Sequence, residues 1–106
     1  MKTITVRDEK NVPYVLTFTA ETVKQLEARG FSLDEITAKP MTMIPMLFEG
    51  AFLAKEANKV TSEKVAKIYK AQKDKTGLVQ KLIELYNDPI EEAIVKEGNI
   101  EWESNF

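Results

Sequence analysis

Histidine and cysteine are both missing from these 106 residues. The absence of cysteine removes disulfides, thiolate metal sites and cysteine nucleophiles together. The absence of histidine goes further, because it takes away the commonest general base and the commonest metal ligand. Any such chemistry would fall to carboxylates alone. The carboxylate pairs Asp34/Glu35 and Glu91/Glu92 are adjacent in sequence, which points their side chains to different parts of a helix surface, where they serve better as caps and solvating charges than as an acid–base pair. There are only four glycines and none forms a phosphate-binding loop; no serine keeps the company of a base. No catalytic, cofactor-binding or metal-ligating residue is assigned, and a carboxylate-only enzyme is the weakest of the functional classes considered.

Long apolar runs are missing as well. The most apolar stretch, Met41 to Ala54 (MTMIPMLFEGAFLA), carries Glu49 as its one charge. As a helix its fourteen residues would span about 21 Å, short of the ~30 Å hydrocarbon layer of a bilayer. A membrane-spanning role is therefore not expected. The N-terminal MKTITVRDEK has no apolar core before its first acids and does not read as a secretion signal. A net charge of -2 and a pI of about 5.3 withhold the overall positive field expected of a nucleic-acid binder.

What is present describes one small domain. Thr3–Val6 and Tyr14–Phe18 are short runs of β-branched and aromatic residues separated by a polar turn, and they predict a β-hairpin with one face on a helical layer. Two strands alone are marginal in water, so they need helices or strands from another copy. Thr19 is placed to cap an amphipathic helix carrying Val23 and Leu26 and stopped by Gly30. Ser32–Glu35 has capping-box spacing and predicts a brief second helical turn. The Met41–Ala54 stretch follows as a central helix, apolar around much of its circumference, with Pro45 expected in its first turn, Gly50 allowing close approach of another backbone, and Glu49 expected to pair with Lys55 or Lys59.

Between Lys55 and Lys75 seven lysines face Glu56, Glu63 and Asp74, a local balance of +4. On a helix starting near Thr61 or Ser62, Val65, Ile68, Tyr69 and Gln72 share a face and the lysines spread around the remaining arc. A small regulatory or nucleic-acid-binding protein using helix 61–75 is thus the alternative function. It is the weaker one, since these lysines come with no arginine and one aromatic, leaving little for base stacking or bidentate base readout. Asp74 and Thr76 then open the clearest amphipathic helix, with Val79, Leu82, Ile83, Tyr86, Ile90 and Ala93 in phase; Asp88-Pro89 predicts a kink or restart within it. From Glu84 to Phe106 seven acids stand against Lys96, a balance of -6, so this region and the lysine-rich helix are expected to face each other within or between chains. Gly98-Asn99 is expected to end the helix. The predicted class is α+β, mainly helical: a hairpin (3–18) packed on about four helices (within 20–97) in one domain, 1–98, followed by a C-terminal segment, 99–106.

The order of these segments, a hairpin, TAETVKQLEARGFSLDEI, IPMLFEGAFLAK, a lysine-rich helix, GLVQKLIELYNDPIEEAI and EGNIEW, resembles the small tail assembly chaperones of long-tailed, siphovirus-like phages and Gram-positive prophages. Ile44–Lys55 and Leu82–Pro89 are its most specific pieces. The resemblance implies a non-catalytic chaperone in the cytoplasm of the bacterial host, absent from the mature virion, that binds the tape measure protein and promotes assembly of tail tube protein around it. Its partner surface would use flexible methionines, which adapt to differing side chains. Met41, Met43, Met46, Glu49 and Trp102 are the candidate partner-binding residues, and self-association through the hairpin edges and the central helix is expected.

Overall fold

The computed structural model describes residues 1–106. An antiparallel hairpin, β1 (Ile4–Arg7) and β2 (Pro13–Leu16), is followed by four helices: α1 (Ala20–Ala28), α2 (Pro40–Gly50), α3 (Ser62–Ala71) and α4 (Lys75–Ile90). The architecture is mainly helical α+β, as the residue pattern predicts. The hairpin closes through Asp8, whose Oδ1 accepts the backbone N–H groups of Lys10 and Val12, both at 2.9 Å, while Asn11 takes the left-handed conformation (φ 65°) that a three-residue loop with a bulge requires. Val6, Tyr14, Leu16 and Phe18 all turn to one face and are buried there. The alternation of buried and more exposed residues holds to Leu16; Thr17, between Leu16 and Phe18, is buried too, with its hydroxyl donating to the Lys2 carbonyl at 2.7 Å.

Thr19 caps α1 by accepting from the Thr22 N–H at 3.2 Å, and the Thr22 hydroxyl accepts in return from the Thr19 N–H at 2.9 Å. Gly30, at φ 94°, turns the chain after α1 in a conformation that suits glycine. The predicted capping box at Ser32–Glu35 does not form. Only a three-residue 3₁₀ turn, Leu33–Glu35, occurs, and the Glu35 N–H that a Ser32 side chain would take is already donated to the Ser32 carbonyl at 3.1 Å.

Helix α2 is central, packing on α1, α3 and α4. It starts at Pro40, which provides the fixed φ suited to a first helical position. Pro45 therefore lies in the helix interior instead of its first turn, and removes the N–H that the Met41 carbonyl would otherwise receive. The helix ends at Gly50, four residues before the predicted end, and continues to Lys59 as successive turns. A Cβ at Gly50 would stand 2.5 Å from Leu26 Cδ1, so the close approach that glycine allows is to a side chain of α1, not to a backbone.

The core joins both layers through aromatic edges. Tyr14 of β2 meets Phe52 at 5.9 Å between centroids, Phe52 meets Phe48 of α2 at 5.2 Å, and Phe48 meets Tyr69 of α3 at 5.1 Å. Tyr86 of α4 is held edge-on between Phe18 and Phe31, at 5.1 and 5.0 Å. Tilted and edge-to-face pairs of this kind contribute roughly 0.5–1.5 kcal/mol each beyond simple burial.

No restart occurs at Asp88. Helix α4 runs through Pro89 to Ile90, and the disturbance appears one residue later as a widened π turn, Glu91–Val95, closed by the Lys96 N–H on the Glu91 carbonyl at 2.9 Å. Helical structure ends at Val95, before the expected Gly98-Asn99 stop, and every residue from Glu91 onward is exposed, Ala93 included. The apolar phase thus outlasts the neighbours it would pack on. This projecting end gives a molecule 59 × 29 × 24 Å with a radius of gyration of 15.8 Å, against about 13 Å for a compact domain of this length.

Candidate partner-binding surface

The five candidate residues occupy different environments. Met41 lies in the first turn of α2 and is 90% exposed, beside the exposed Thr42 and Pro45. Met43 is 4% exposed and belongs to the core, so the expected trio of surface methionines is corrected: at this position the helix faces inward, and the thioether fills the interior. Met46 is half-buried against the core. Glu49 is half-buried too, one helical turn from Met46, and shares a small notch of about 200 Å³ with Arg29, Phe52, Leu53, Val60 and Val65. Trp102 is 86% exposed on the C-terminal segment. The helix α2 gathers Met41, Met46 and Glu49 on its outer side; Trp102 belongs to a separate part of the surface.

The lysine pairing expected for Glu49 is made by Glu56 instead. Lys59 Nζ lies 3.0 Å from Glu56 Oε1, while Glu56 Oε2 accepts the Val15 N–H at 2.9 Å. Glu56 is the chain's buried acid, 6% exposed, and it stays ionised: the Val15 N–H and then Lys59 hold its carboxyl below the ordinary 4.5 against the opposing effect of burial. Residue reading missed it because Glu56 sits in a lysine-rich run that looks solvated. A helical offset of four from Phe52, whose carbonyl accepts the Glu56 N–H at 2.8 Å, was the available signal.

Glu56 also decides what the hairpin can do. Val15 and Thr17 direct their N–H groups away from β1, and these are met by the Glu56 carboxylate and by the Ala51 carbonyl at 3.1 Å. Both of these outward N–H groups on the β2 side are therefore already taken within the chain, so they are not free to donate to a strand of another copy. On the outer edge of β1, the Arg7 carbonyl receives Gln72 Nε2 at 2.7 Å, while the Thr5 and Arg7 residues themselves are exposed.

Helix α3 buries Val65 and Ile68, half-buries Tyr69 and Gln72, and exposes its lysines, as the spacing predicts. Thr61 caps it, accepting from the Lys64 N–H at 3.1 Å. Lys64 pairs with Asp8 at 3.5 Å across a shallow cleft of about 360 Å³ between the hairpin loop and α3. The Val12 and Lys10 N–H groups, with Lys64, lower the Asp8 carboxyl, and Tyr14 and Asp8 together raise Lys64. Lys75 folds back to donate to the Lys70 and Gln72 carbonyls and stands 5.8 Å over the Tyr69 ring. Lys67, Lys70 and Lys73 have no acidic partner.

The expected apposition of lysine-rich and acidic regions does not occur within the chain. Among its six ion pairs, none joins a lysine of 55–75 to an acid of 84–106. The acidic end carries the largest group of exposed apolar side chains: Ile94, Val95, Ile100, Trp102 and Phe106. No group of three or more acids is arranged to hold a metal ion, and no helix is long and apolar enough to cross a membrane.

No curated protein and no solved structure matches the chain. A family described as a domain of unknown function (DUF5055) matches residues 1–106, and the chain belongs to that family.

Proposed function

We propose that this protein is a non-catalytic tail assembly chaperone, which binds a tape measure protein and keeps it available while tail tube protein assembles around it in the cytoplasm of the bacterial host. The observation that carries the reading is the division of apolar residues. Seventeen hydrophobic residues close a continuous core, yet Met41 at one site and Ile94, Val95, Ile100, Trp102 and Phe106 at another are left in water. Exposed apolar groups bordered by charge mark contact with other chains. A tape measure is long, helical and apolar along one face, so it requires cover of this kind before the tube encloses it. The resemblance in segment order supports the same reading.

The experiment is coexpression. The wild-type chain should keep a tape measure protein from its own gene cluster soluble and should copurify with it through moderate salt, since the contact is mainly apolar. Met41→Glu should weaken that complex while leaving the fold intact. A wild-type chain that never solubilises the tape measure would defeat the assignment. Tight, salt-resistant retention of DNA or RNA would favour the regulatory alternative based on α3.

A further inference from the structure

The hairpin keeps one edge open. Val15 sends its N–H away from β1 to Glu56, so Thr5, which lies opposite it in the antiparallel pair, directs its own N–H and C=O away from β2. No other part of the chain bonds to Thr3 or Thr5 on that side, and both residues are exposed; only the next outward carbonyl, that of Arg7, is taken, by Gln72. The strand that carries this edge is basic, since residues 1–7 contain Lys2 and Arg7 and no acid. Arg7 has no acidic partner. The acids nearest to it are engaged: Asp88 with Lys2 at 3.9 Å, and Asp8 with Lys64 and the N–H groups of the hairpin loop.

The C-terminal segment has the complementary character. After Gly98-Asn99 it alternates, with Ile100, Trp102 and Phe106 at one parity and Glu101 and Glu103 at the other, which is the period of a strand. It is exposed, has no secondary structure, and carries Glu97, Glu101 and Glu103 with no base after Lys96. We propose that in a pair of copies the Ile100–Phe106 segment of each adds as a third strand to the open edge of β1 in the other. Backbone pairing supplies the outward groups of Thr3 and Thr5 with partners. In either strand direction the alternation sorts the faces: Ile100 and Trp102 fall on the side of Ile4, which the chain alone leaves half-buried, and Glu101 and Glu103 fall on the side of Thr5 and Arg7. The path of the chain identifies the occupant as a second copy. The Lys2–Asp88 pair sets the end of α4 beside the start of β1, but Glu91–Val95 carries the segment onward from there, along the 59 Å axis of the molecule and off its own edge. A neighbour across a two-fold axis offers the identical edge and sends its own segment back, so the exchange closes as a dimer.

The Thr5 amide reports this contact. Amide exchange and sedimentation should be followed across a dilution series of the full chain. At low concentration the Thr5 amide should exchange freely; at high concentration it should be protected about tenfold or more while the mass doubles and the emission of Trp102, the only tryptophan, moves to shorter wavelength. Ile100→Pro/Glu101→Pro puts a proline at both parities of an exposed segment, so one ladder N–H is lost whatever the register. It should leave the melting temperature of dilute protein unchanged and weaken association about tenfold or more. Arg7→Glu and Glu101→Arg/Glu103→Arg should each weaken association several-fold, and mixing the two variants should restore it, because each then offers the charge the other needs. A chain that remains monomeric at every concentration overturns the proposal, whether the segment is solvated or folded back on its own edge. Association that leaves the Thr5 amide unprotected, or that survives the paired prolines, overturns it equally. Coexpression with a tape measure is a separate measurement, so the chaperone assignment and the strand exchange can fail independently.

Discussion

Residues 3–90 and residues 91–106 obey the same chemistry and reach opposite results. In the first region the apolar residues find partners, Val12 and Met41 apart: the hairpin face lies on the helices, Leu26 enters the gap left by Gly50, and the outer N–H groups of β2 are met by Ala51 and Glu56. In the second, Ile94, Val95, Ile100, Trp102 and Phe106 are as apolar as the core yet meet nothing. The difference is not composition but reach. Pro89 is followed by a π turn that shifts the helical phase, and beyond it no second layer extends to cover what the helix presents. An amphipathic pattern states which face seeks burial, and the partner has to come from elsewhere in the fold or from another chain.

The largest expected effect contrasts two methionines two residues apart. Met43→Glu would place a carboxylate among Leu47, Phe48 and their neighbours with nothing to pair it, at a cost of about 3–5 kcal/mol, a large part of the 5–15 kcal/mol typical of a domain. Met41→Glu, on an exposed position, should stay within about 0.5 kcal/mol of wild type. Urea titrations of the two variants check this. Equal destabilisation would mean that the first turn of α2 is not oriented as described.

These two residues also show how much the sequence reveals. Period two in the hairpin and period 3.6 in α1, α3 and α4 are local signals, and they placed Val6, Leu16, Leu26, Ile68 and Leu82 inside. The Thr19, Thr61 and Asp74 caps were readable for the same reason. Met41–Ala54 was harder. A helix apolar on most sides gives no phase from which to tell Met41 from Met43, and only the position of α1, α3 and α4 around it decides. The role of Glu56 depends on a contact with Val15, 41 residues away in sequence, which no local pattern encodes. The absence of a lysine–acid apposition is of the same kind, because charge balance along a chain says nothing about where the segments point. The partner residues themselves were only partly legible. Met41 and Trp102 are exposed as a docking residue must be, whereas Ile94 and Ile100 escaped notice by looking like the continuation of a packed helix and an ordinary chain end.

A smaller effect tests how the body closes its own strand edge. Glu56→Ala would leave the Val15 N–H without its acceptor and should cost about 1–3 kcal/mol. The pH dependence follows from the lowered pKa. A carboxyl whose folded pKa lies below its ordinary 4.5 contributes fully above that value, and its contribution is lost as pH falls through the lowered folded pKa. Wild-type stability should therefore decline below about pH 4.5 partly through Glu56. Glu56→Gln keeps an oxygen for Val15 but gives up the charge shared with Lys59, so part of that decline should disappear. Denaturant midpoints taken between neutral and acid pH separate the two variants. If Glu56→Gln follows the wild-type acid profile unchanged, the charge shared with Lys59 contributes nothing to stability; if Glu56→Ala also costs nothing, the Val15 N–H does not depend on Glu56.

The smallest expected effect lies in the second region. In dilute solution, where copies are apart, Trp102→Ala should change unfolding free energy by less than about 0.5 kcal/mol, although truncating a tryptophan inside a core costs roughly 3–5 kcal/mol. The residue is 86% exposed, makes no aromatic pair, and lies on a segment without secondary structure, so the folded and unfolded chains solvate it alike. Concentration sharpens the contrast. Anything that binds the folded chain and not the unfolded one adds stability by mass action, so self-association through this exposed segment should raise the wild-type melting temperature as protein is concentrated while leaving that of Trp102→Ala nearly flat. Melting curves at low and high concentration, recorded for both proteins, give four values whose pattern is decisive. A loss above about 1 kcal/mol at low concentration would place Trp102 against its own domain, and the division between a closed body and an open C-terminal segment would fail there.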